Sequence, residues 1–195
     1  MIGRPRPRIA RRVSAVSPRR YDGPMTVPHA SSRLFLAVWP DAQALARIVE
    51  WQARQSWPAG VRHTPPEKLH ATLHFIGEVP HAHIMPLSGA LAAVPFAPGR
   101  LLPGQAEIWA GGIAVLHAEV DEPLVALHAQ VVEVLRSRQL PLDARPWRPH
   151  VTVARHAQGA ALMGLRPAPV CTVGEFALCE SVGGRYDVLR RYPAA

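Results

Sequence analysis

The sequence predicts an α+β domain in which helices cover one side of largely antiparallel sheet. Short apolar runs of strand length recur along the chain and only three segments show helical period. The last two strand-like runs are joined across Gly183-Gly184, a pair able to supply the positive φ of a hairpin turn. The chain has 195 residues, 48% hydrophobic and 18% charged, enough apolar material to bury a sizeable core. That composition excludes a disordered polyelectrolyte and a mini-protein held by staples.

The first strand is Arg33-Leu-Phe-Leu-Ala-Val-Trp39, closed by Pro40. Asp41 is placed to cap a helix in which Leu45, Ile48, Val49 and Gln52 recur at helical spacing as far as about Gln55. Pro58, Gly60, Pro65 and Pro66 mark a turn-rich connection. It leads to His70-Ala-Thr-Leu-His-Phe-Ile-Gly77, a strand because Thr, Phe and Ile suit a pleated surface and Gly77 stops it. A helix weakened by Pro86 is expected between His81 and Val94, and one or two strands between Glu107 and Val120, broken at Gly111 and Gly112. Glu122 to Gln139 is the clearest helix. It begins with acid, ends with Arg136 and Arg138, and gathers Leu124, Leu127, His128, Val131, Val134 and Leu135 on one face. A proline-rich approach from Pro141 to Pro149 then opens the strand His150-Val-Thr-Val-Ala-Arg155, and Thr172 to Glu180 and Tyr186 to Tyr192 complete the set.

The formal charge of +8 suggests a polyanionic partner until its location is read. Residues 1–24 hold seven arginines against one acid, Asp22, so the rest of the chain keeps only a small positive excess. Residues 1–32 are expected to be a disordered Arg/Pro-rich tail, an upstream extension of the reading frame with Met25 as the natural start. Residues 33–195 are expected to form the folded domain. The tail has no apolar segment of a secretory signal. It shares the arginine-rich, acid-poor character of a transit peptide, but Pro5, Pro7 and Pro18 interrupt any helix. No apolar run approaches the ~18 to 20 residues that span a bilayer. With only Cys171 and Cys179, read as reduced and partly buried, a cytoplasmic protein with no membrane partner is expected. Lys68 is the one lysine among 22 basic residues, which reads as compositional bias.

His70-Ala-Thr-Leu73 and His150-Val-Thr-Val153 repeat the pattern His-x-Thr-apolar, each after a proline-rich approach and each opening a strand. Side chains at i and i+2 of a strand share a face, so His70 pairs with Thr72 and His150 with Thr152, while Ala71, Leu73, Phe75, Val151 and Val153 face the core. Two such strands side by side would offer two imidazoles and two hydroxyls. One neutral histidine can take a proton from water, the other as imidazolium can give one to a leaving oxygen, and the hydroxyls can hold phosphate oxygens. Neither a metal nor any other cofactor is required. A lone His-x-Thr would be an ordinary structural strand. Its duplication in matched surroundings points to function.

Lys68-Leu-His-Ala-Thr-Leu-His-Phe-Ile-Gly-Glu78 and Arg148-Pro-His-Val-Thr-Val-Ala-Arg155 resemble the two signature motifs of the 2H phosphoesterases. More narrowly, they resemble those of the bacterial and archaeal RNA 2',3'-cyclic phosphodiesterases, long called 2'-5' RNA ligases. The opening Arg33-Leu-Phe-Leu-Ala-Val, the Pro-Glu-Lys-Leu before the first motif and the closing Cys179-Glu-Ser-Val and Gly184-Arg-Tyr-Asp-Val-Leu fit the same layout, so the similarity runs from about Arg33 to Tyr192. The resemblance implies a bilobal fold of two pseudo-symmetric halves with helices outside, each half giving one His-x-Thr strand to a central cleft. It implies hydrolysis of a 2',3'-cyclic phosphate on RNA or a nucleotide to a 2'-phosphate by a metal-independent monomer, with His70 as proton donor, His150 as proton acceptor, and Thr72, Thr152 and Arg155 binding the phosphate. Strict alternation puts Arg155 opposite His150, so that role requires a strand end or a bulge. Val153 stands where the family often has Leu, and Ile108 to Val120 matches less well.

Rival readings keep the chemistry but change the substrate to an ADP-ribose cyclic phosphate or other small cyclic nucleotide, or drop catalysis for a module that binds RNA ends. His81-x-His83 and His70-x3-His74 are read as surface or cleft histidines, since the second lacks the glutamate of a zinc-protease helix. The five tryptophans are read mainly as packing residues.

Overall fold

The computed structural model describes residues 30–195. The expected tail falls outside the described residues as far as residue 29. Its last two positions belong to the fold instead, because β1 (Ser31–Val38) starts before Arg33 and buries Ser32, whose hydroxyl lies 3.0 Å from Nε2 of His81. Next come α1 (Ala42–Arg54), β2 (Arg62–His63), β3 (Ala71–Pro80), α2 (His81–Leu91), β4 (Gly99–Trp109), β5 (Ile113–Val120) and α3 (Glu122–Ser137). The chain ends with β6 (His150–Arg155), β7 (Cys171–Val173), β8 (Glu175–Val182) and β9 (Arg185–Pro193).

The strands pair in the order β7-β4-β5-β6-β3-β1-β8-β9, with β2 added to β6, and every pairing is antiparallel. The order divides into two half-sheets, β3-β1-β8-β9 and β6-β5-β4-β7. In each, the His-x-Thr strand is innermost. The halves meet at one residue pair, Ala71 opposite Val151. This is the expected α+β architecture of two antiparallel halves.

Local chemistry explains the elements. Asp41 caps α1 by accepting the Ala44 N–H at 2.9 Å, and its other oxygen accepts the Thr172 N–H at 2.9 Å. One carboxylate thus ties the start of α1 to β7. Asp121 caps α3, which buries Leu124, Leu127, Val131 and Leu135. Leu34, Leu36, Leu73, Ile76, Leu116 and Val153 join these in one core that spans both halves. A smaller cluster of Phe35, Ala37, Ala177 and Cys179 lies apart from it, with Trp39 and Tyr186 packed on it. Gly183 and Gly184, at φ +55° and +80°, turn β8 into β9 as their sequence suggests.

Three differences from the sequence reading have physical causes. The strand expected over 172–180 is two strands: β7 pairs with β4 in one half and β8 with β1 in the other, so the chain changes halves at Gly174. β4 begins at Gly99, eight residues before Glu107, despite containing Pro103. A register shift between Pro103 and Gln105 accommodates the proline as a bulge. β2 is two residues of edge pairing, too short to carry a pattern.

Because Asp41 satisfies two backbone donors, Asp41→Ala should destabilise the protein by about 2 kcal/mol. Urea unfolding should show a lower midpoint at unchanged slope, and a loss below about 0.5 kcal/mol would mean the tie between α1 and β7 is unimportant.

Candidate active site

With Ala71 opposite Val151, antiparallel register sets His70 toward Thr152 and Thr72 toward His150. Ala71, Leu73, Val151 and Val153 turn into the core and are at most 2% exposed. The seam is held by apolar residues, and the polar pairs project from its other face.

Both motif strands bulge at the same place. On β3, Thr72 pairs with Ala37 and His74 with Leu36, so Leu73 is the extra residue. On β6, Thr152 pairs with Val115 and Ala154 with Ala114, so Val153 is extra. Alternation restarts after each bulge. Leu73 with His74, and Val153 with Ala154, are consecutive buried pairs, and the sixth residue of each motif, Phe75 and Arg155, swings out to solvent. This is the bulge that a phosphate-facing Arg155 requires. Phe75, 56% exposed, is its counterpart in the other half. Strict alternation assigns Phe75 to the core face, and the structure corrects this: the bulge at Leu73 reverses the alternation and turns Phe75 outward.

Thr72, Phe75, Trp109, His150, Thr152 and Arg155 line one cavity of about 440 Å³ that continues to α3 and the segment 142–148. His70 is not in its wall. It stands across the seam among Phe35, Trp39 and Tyr186, with ring centroids 5.4, 5.5 and 5.3 Å away. His150 packs on Trp109 at 4.4 Å.

The same bond orients both rings. Nδ1 of His70 donates to the carbonyl of Lys68 at 2.7 Å, and Nδ1 of His150 donates to that of Arg148 at 2.6 Å. A carbonyl only accepts, so in each neutral ring the proton sits on Nδ1 and the lone pair on Nε2 is left for chemistry. Burial lowers the pKa of His70 against the upward pull of the Lys68 carbonyl, and the nearby His150 lowers it further. Burial also lowers that of His150, opposed by the Arg148 carbonyl and reinforced by His117 and the Arg148 charge.

His74 has a structural part. Its buried Nε2 accepts the Asp143 N–H at 3.4 Å, which fastens the segment leading to His150. His128 stacks on Trp147 at 4.2 Å, and Trp147 Nε1 donates to the Thr72 carbonyl at 3.1 Å. Trp39, Trp51 and Trp57 likewise donate to backbone carbonyls. Arg145 holds the Asp143 carboxyl well below the usual carboxylate range. Burial pushes the free thiols of Cys171 and Cys179 up to about 11 and about 12, so neither is a thiolate at neutral pH. Among the described residues, no three His, Cys, Asp or Glu side chains gather as metal ligands, and no helix is long and apolar enough to cross a membrane.

Paired His-x-Thr strands at the seam of two antiparallel halves are the architecture of a 2H phosphoesterase. Residues 39–185 match the model of the 2'-5' RNA ligase superfamily, and the chain belongs to that superfamily. Over 101 residues it is 37% identical to the RNA 2',3'-cyclic phosphodiesterase of Geobacillus stearothermophilus, a match covering 49% of this chain and 32% of that protein. The match thus spans about a third of that relative's length. The fold is similar to that of Escherichia coli LigT crystallised with 3'-AMP, with a TM-score of 0.77 and 23% identity over 85% of this chain and 99% of that one. A Thermus thermophilus protein superimposes with a TM-score of 0.69 at 29% identity, covering 83% and 97% of the two chains.

His70, His74, His128 and His150 all have pKa values lowered by burial from the ordinary 6.5. The unfolded chain takes up these protons near pH 6.5 and the folded chain only at lower pH, so unfolding binds protons in between. Stability should be full above pH 6.5 and fall as the pH drops below it. The melting temperature is expected to be lower at pH 5.5 than at 7.5, above the range where carboxylates titrate. A flat or rising melting temperature over that interval would contradict the buried neutral rings.

Proposed function

We propose that the protein hydrolyses the terminal 2',3'-cyclic phosphate of RNA, or of a small cyclic nucleotide, to a 2'-phosphate. The observation that carries this reading is the matched locking of both Nδ1 atoms, which leaves two Nε2 atoms for proton transfer on either side of the seam. His150 Nε2 accepts a proton from water, and the water oxygen attacks phosphorus. As the P–O3' bond breaks, His70 as imidazolium donates its Nε2 proton to O3'. Water is thereby added across one ester bond, and the two rings exchange protonation states until solvent resets them. The threonine hydroxyls of Thr72 and Thr152, with the Arg155 guanidinium, hold the non-bridging oxygens.

Two lowered histidine pKa values mean that both rings are neutral near pH 7 when no anion is beside them. A cyclic phosphodiester brings one negative charge beside them and favours the proton that His70 must carry. Substrate entry thus loads the acid. The Geobacillus relative, an RNA 2',3'-cyclic phosphodiesterase, supports cyclic-phosphate hydrolysis, and LigT, 25% identical and crystallised with ATP and with NADP+, supports a nucleotide ligand. Phe75 offers an exposed ring on which a base can stack. The reverse reaction, joining ends in a 2'-5' linkage, follows by microscopic reversibility and is disfavoured in water.

With chelator present, the protein should open adenosine 2',3'-cyclic phosphate and cyclic-phosphate RNA to 2'-phosphates only, with a bell-shaped pH profile. His70→Ala and His150→Ala should each lose ~10²- to 10⁴-fold in kcat, and Thr72→Ala or Thr152→Ala less. Product analysis showing 3'-phosphates, or near-wild-type turnover by either histidine variant, would refute the reading. Parallel assay of an ADP-ribose cyclic phosphate tells which substrate class is preferred.

A further inference from the structure

The residue two positions before each motif histidine is a cation, Lys68 in one half and Arg148 in the other. In both halves that residue contacts its histidine in two ways. Its carbonyl accepts the Nδ1–H. Its side chain lies over an aromatic ring that itself packs on the histidine: Lys68 Nζ is 5.7 Å from the centroid of Tyr186, and the Arg148 guanidinium 5.1 Å from that of Trp109. Tyr186 meets His70 edge-on, and Trp109 is tilted against His150.

Each cation is anchored at its far end. Lys68 Nζ donates to the Gly184 carbonyl at 2.6 Å, at the tip of the β8–β9 hairpin that carries Tyr186. Arg148 donates to the Glu107 carboxylate at 3.1 Å, and the same carboxylate binds His117, the residue opposite His150 on β5. Glu107 and Lys68 line no part of the cavity, whereas Arg148 stands in its wall. The compositional bias toward arginine makes the first anchor more telling. In a chain with one lysine among 22 basic residues, that lysine stands beside His70.

We infer that Lys68 and Arg148 are positioning residues for the proposed reaction, each clamping a histidine between its own carbonyl and the aromatic ring its side chain holds, with Glu107 and His117 bracing the Arg148 clamp. The inference rests on the two-histidine reading of the site. Loss of the cation frees the aromatic wall and the approach segment together, so the ring can tilt and its Nε2 can leave the line of proton transfer. Misplacement on that scale typically costs ~10- to 100-fold in rate. It should appear in kcat, because the phosphate contacts are given to Thr72, Thr152 and Arg155; Lys68 lies outside the cavity, and Arg148, which stands in its wall, is spent on Glu107 and Trp109.

The two clamps differ electrically. Of the charged and titratable groups, Arg148 and His117 act on His150 directly, Glu107 on β4 binds both, His70 lies across the seam, and Arg136, Asp143, Arg145 and Arg155 line the same cavity. Arg148 opposes protonation of His150, whereas His70 is enclosed chiefly by rings.

The test uses the full chain with adenosine 2',3'-cyclic phosphate and the variants Lys68→Gln, Arg148→Gln, Arg148→Lys and Glu107→Gln. Lys68→Gln and Arg148→Gln should lower kcat by roughly tenfold or more, with KM within about twofold. Arg148→Gln should also move the acidic limb of the pH profile upward, because a positive charge beside the base is gone. Arg148→Lys should restore that limb. Glu107→Gln, outside the cavity, should lower kcat in the same sense by a smaller factor and keeps the inference open to refutation should an Arg148 variant fold poorly. A rise in KM at unchanged kcat would make these cations substrate ligands and overturn the inference, as would unchanged kcat and profile in an active enzyme. A wild type that leaves the cyclic phosphate intact overturns the functional reading, and this inference with it.

Discussion

The arrangement of the site depends on one contact, the pairing of Ala71 with Val151. Among the described residues it is the only register pair between the two half-sheets, and both residues are almost wholly buried. Small apolar side chains there let β3 and β6 approach closely enough to pair. A single pair does not commit the strands to run together, so they diverge on either side. Of the residues flanking it, Thr72, His150 and Thr152 line the cavity that the divergence leaves, and His70 stands across the seam against Phe35, Trp39 and Tyr186. A longer ladder would have closed the site, and none at all would have left its two halves unregistered.

The electrostatics follow from the same geometry. Each ring sits against aromatic neighbours, and that burial favours the neutral form. Each ring also spends its Nδ1–H on a carbonyl, which fixes the tautomer. The two histidines carry no charge of their own, while Arg136, Arg145, Arg148 and Arg155 outnumber Asp143 in the cavity wall and suit it to an anion. The anion it receives supplies the field that loads the acid, which couples substrate binding to readiness for proton transfer. The arginine-rich start of the chain is unnecessary to this scheme.

Much of this was legible in the sequence, for reasons that particular residues make clear. Asp41 and the spacing of Ile48 announced α1 because capping and periodicity are local. The two His-x-Thr strands stood out because a period of two puts the paired groups on one face. The bulges at Leu73 and Val153 were not legible, since both are ordinary strand residues and the irregularity exists only relative to β1 and β5. For that reason Phe75 was assigned to the core face and Arg155 could be placed only conditionally. β7 and β8 were read as one strand because Gly174 is a modest break, and the change of partner sheet is a tertiary decision. Lys68 looked like composition alone until its carbonyl and its ammonium were seen to hold opposite ends of one clamp.

The central claim is that His70 and His150 present Nε2 lone pairs from Nδ1-protonated rings, and that an anion in the cleft puts a second proton on one of them. Nitrogen-15 NMR of the histidine side chains at pH 7.5, recorded without ligand and then with saturating adenosine 2'-phosphate, measures this directly. Both rings are expected as neutral Nδ1–H tautomers in the free protein, with His70 becoming doubly protonated when the nucleotide binds. Neutral Nε2–H tautomers in the free protein, or rings indifferent to the bound phosphate, would contradict the account.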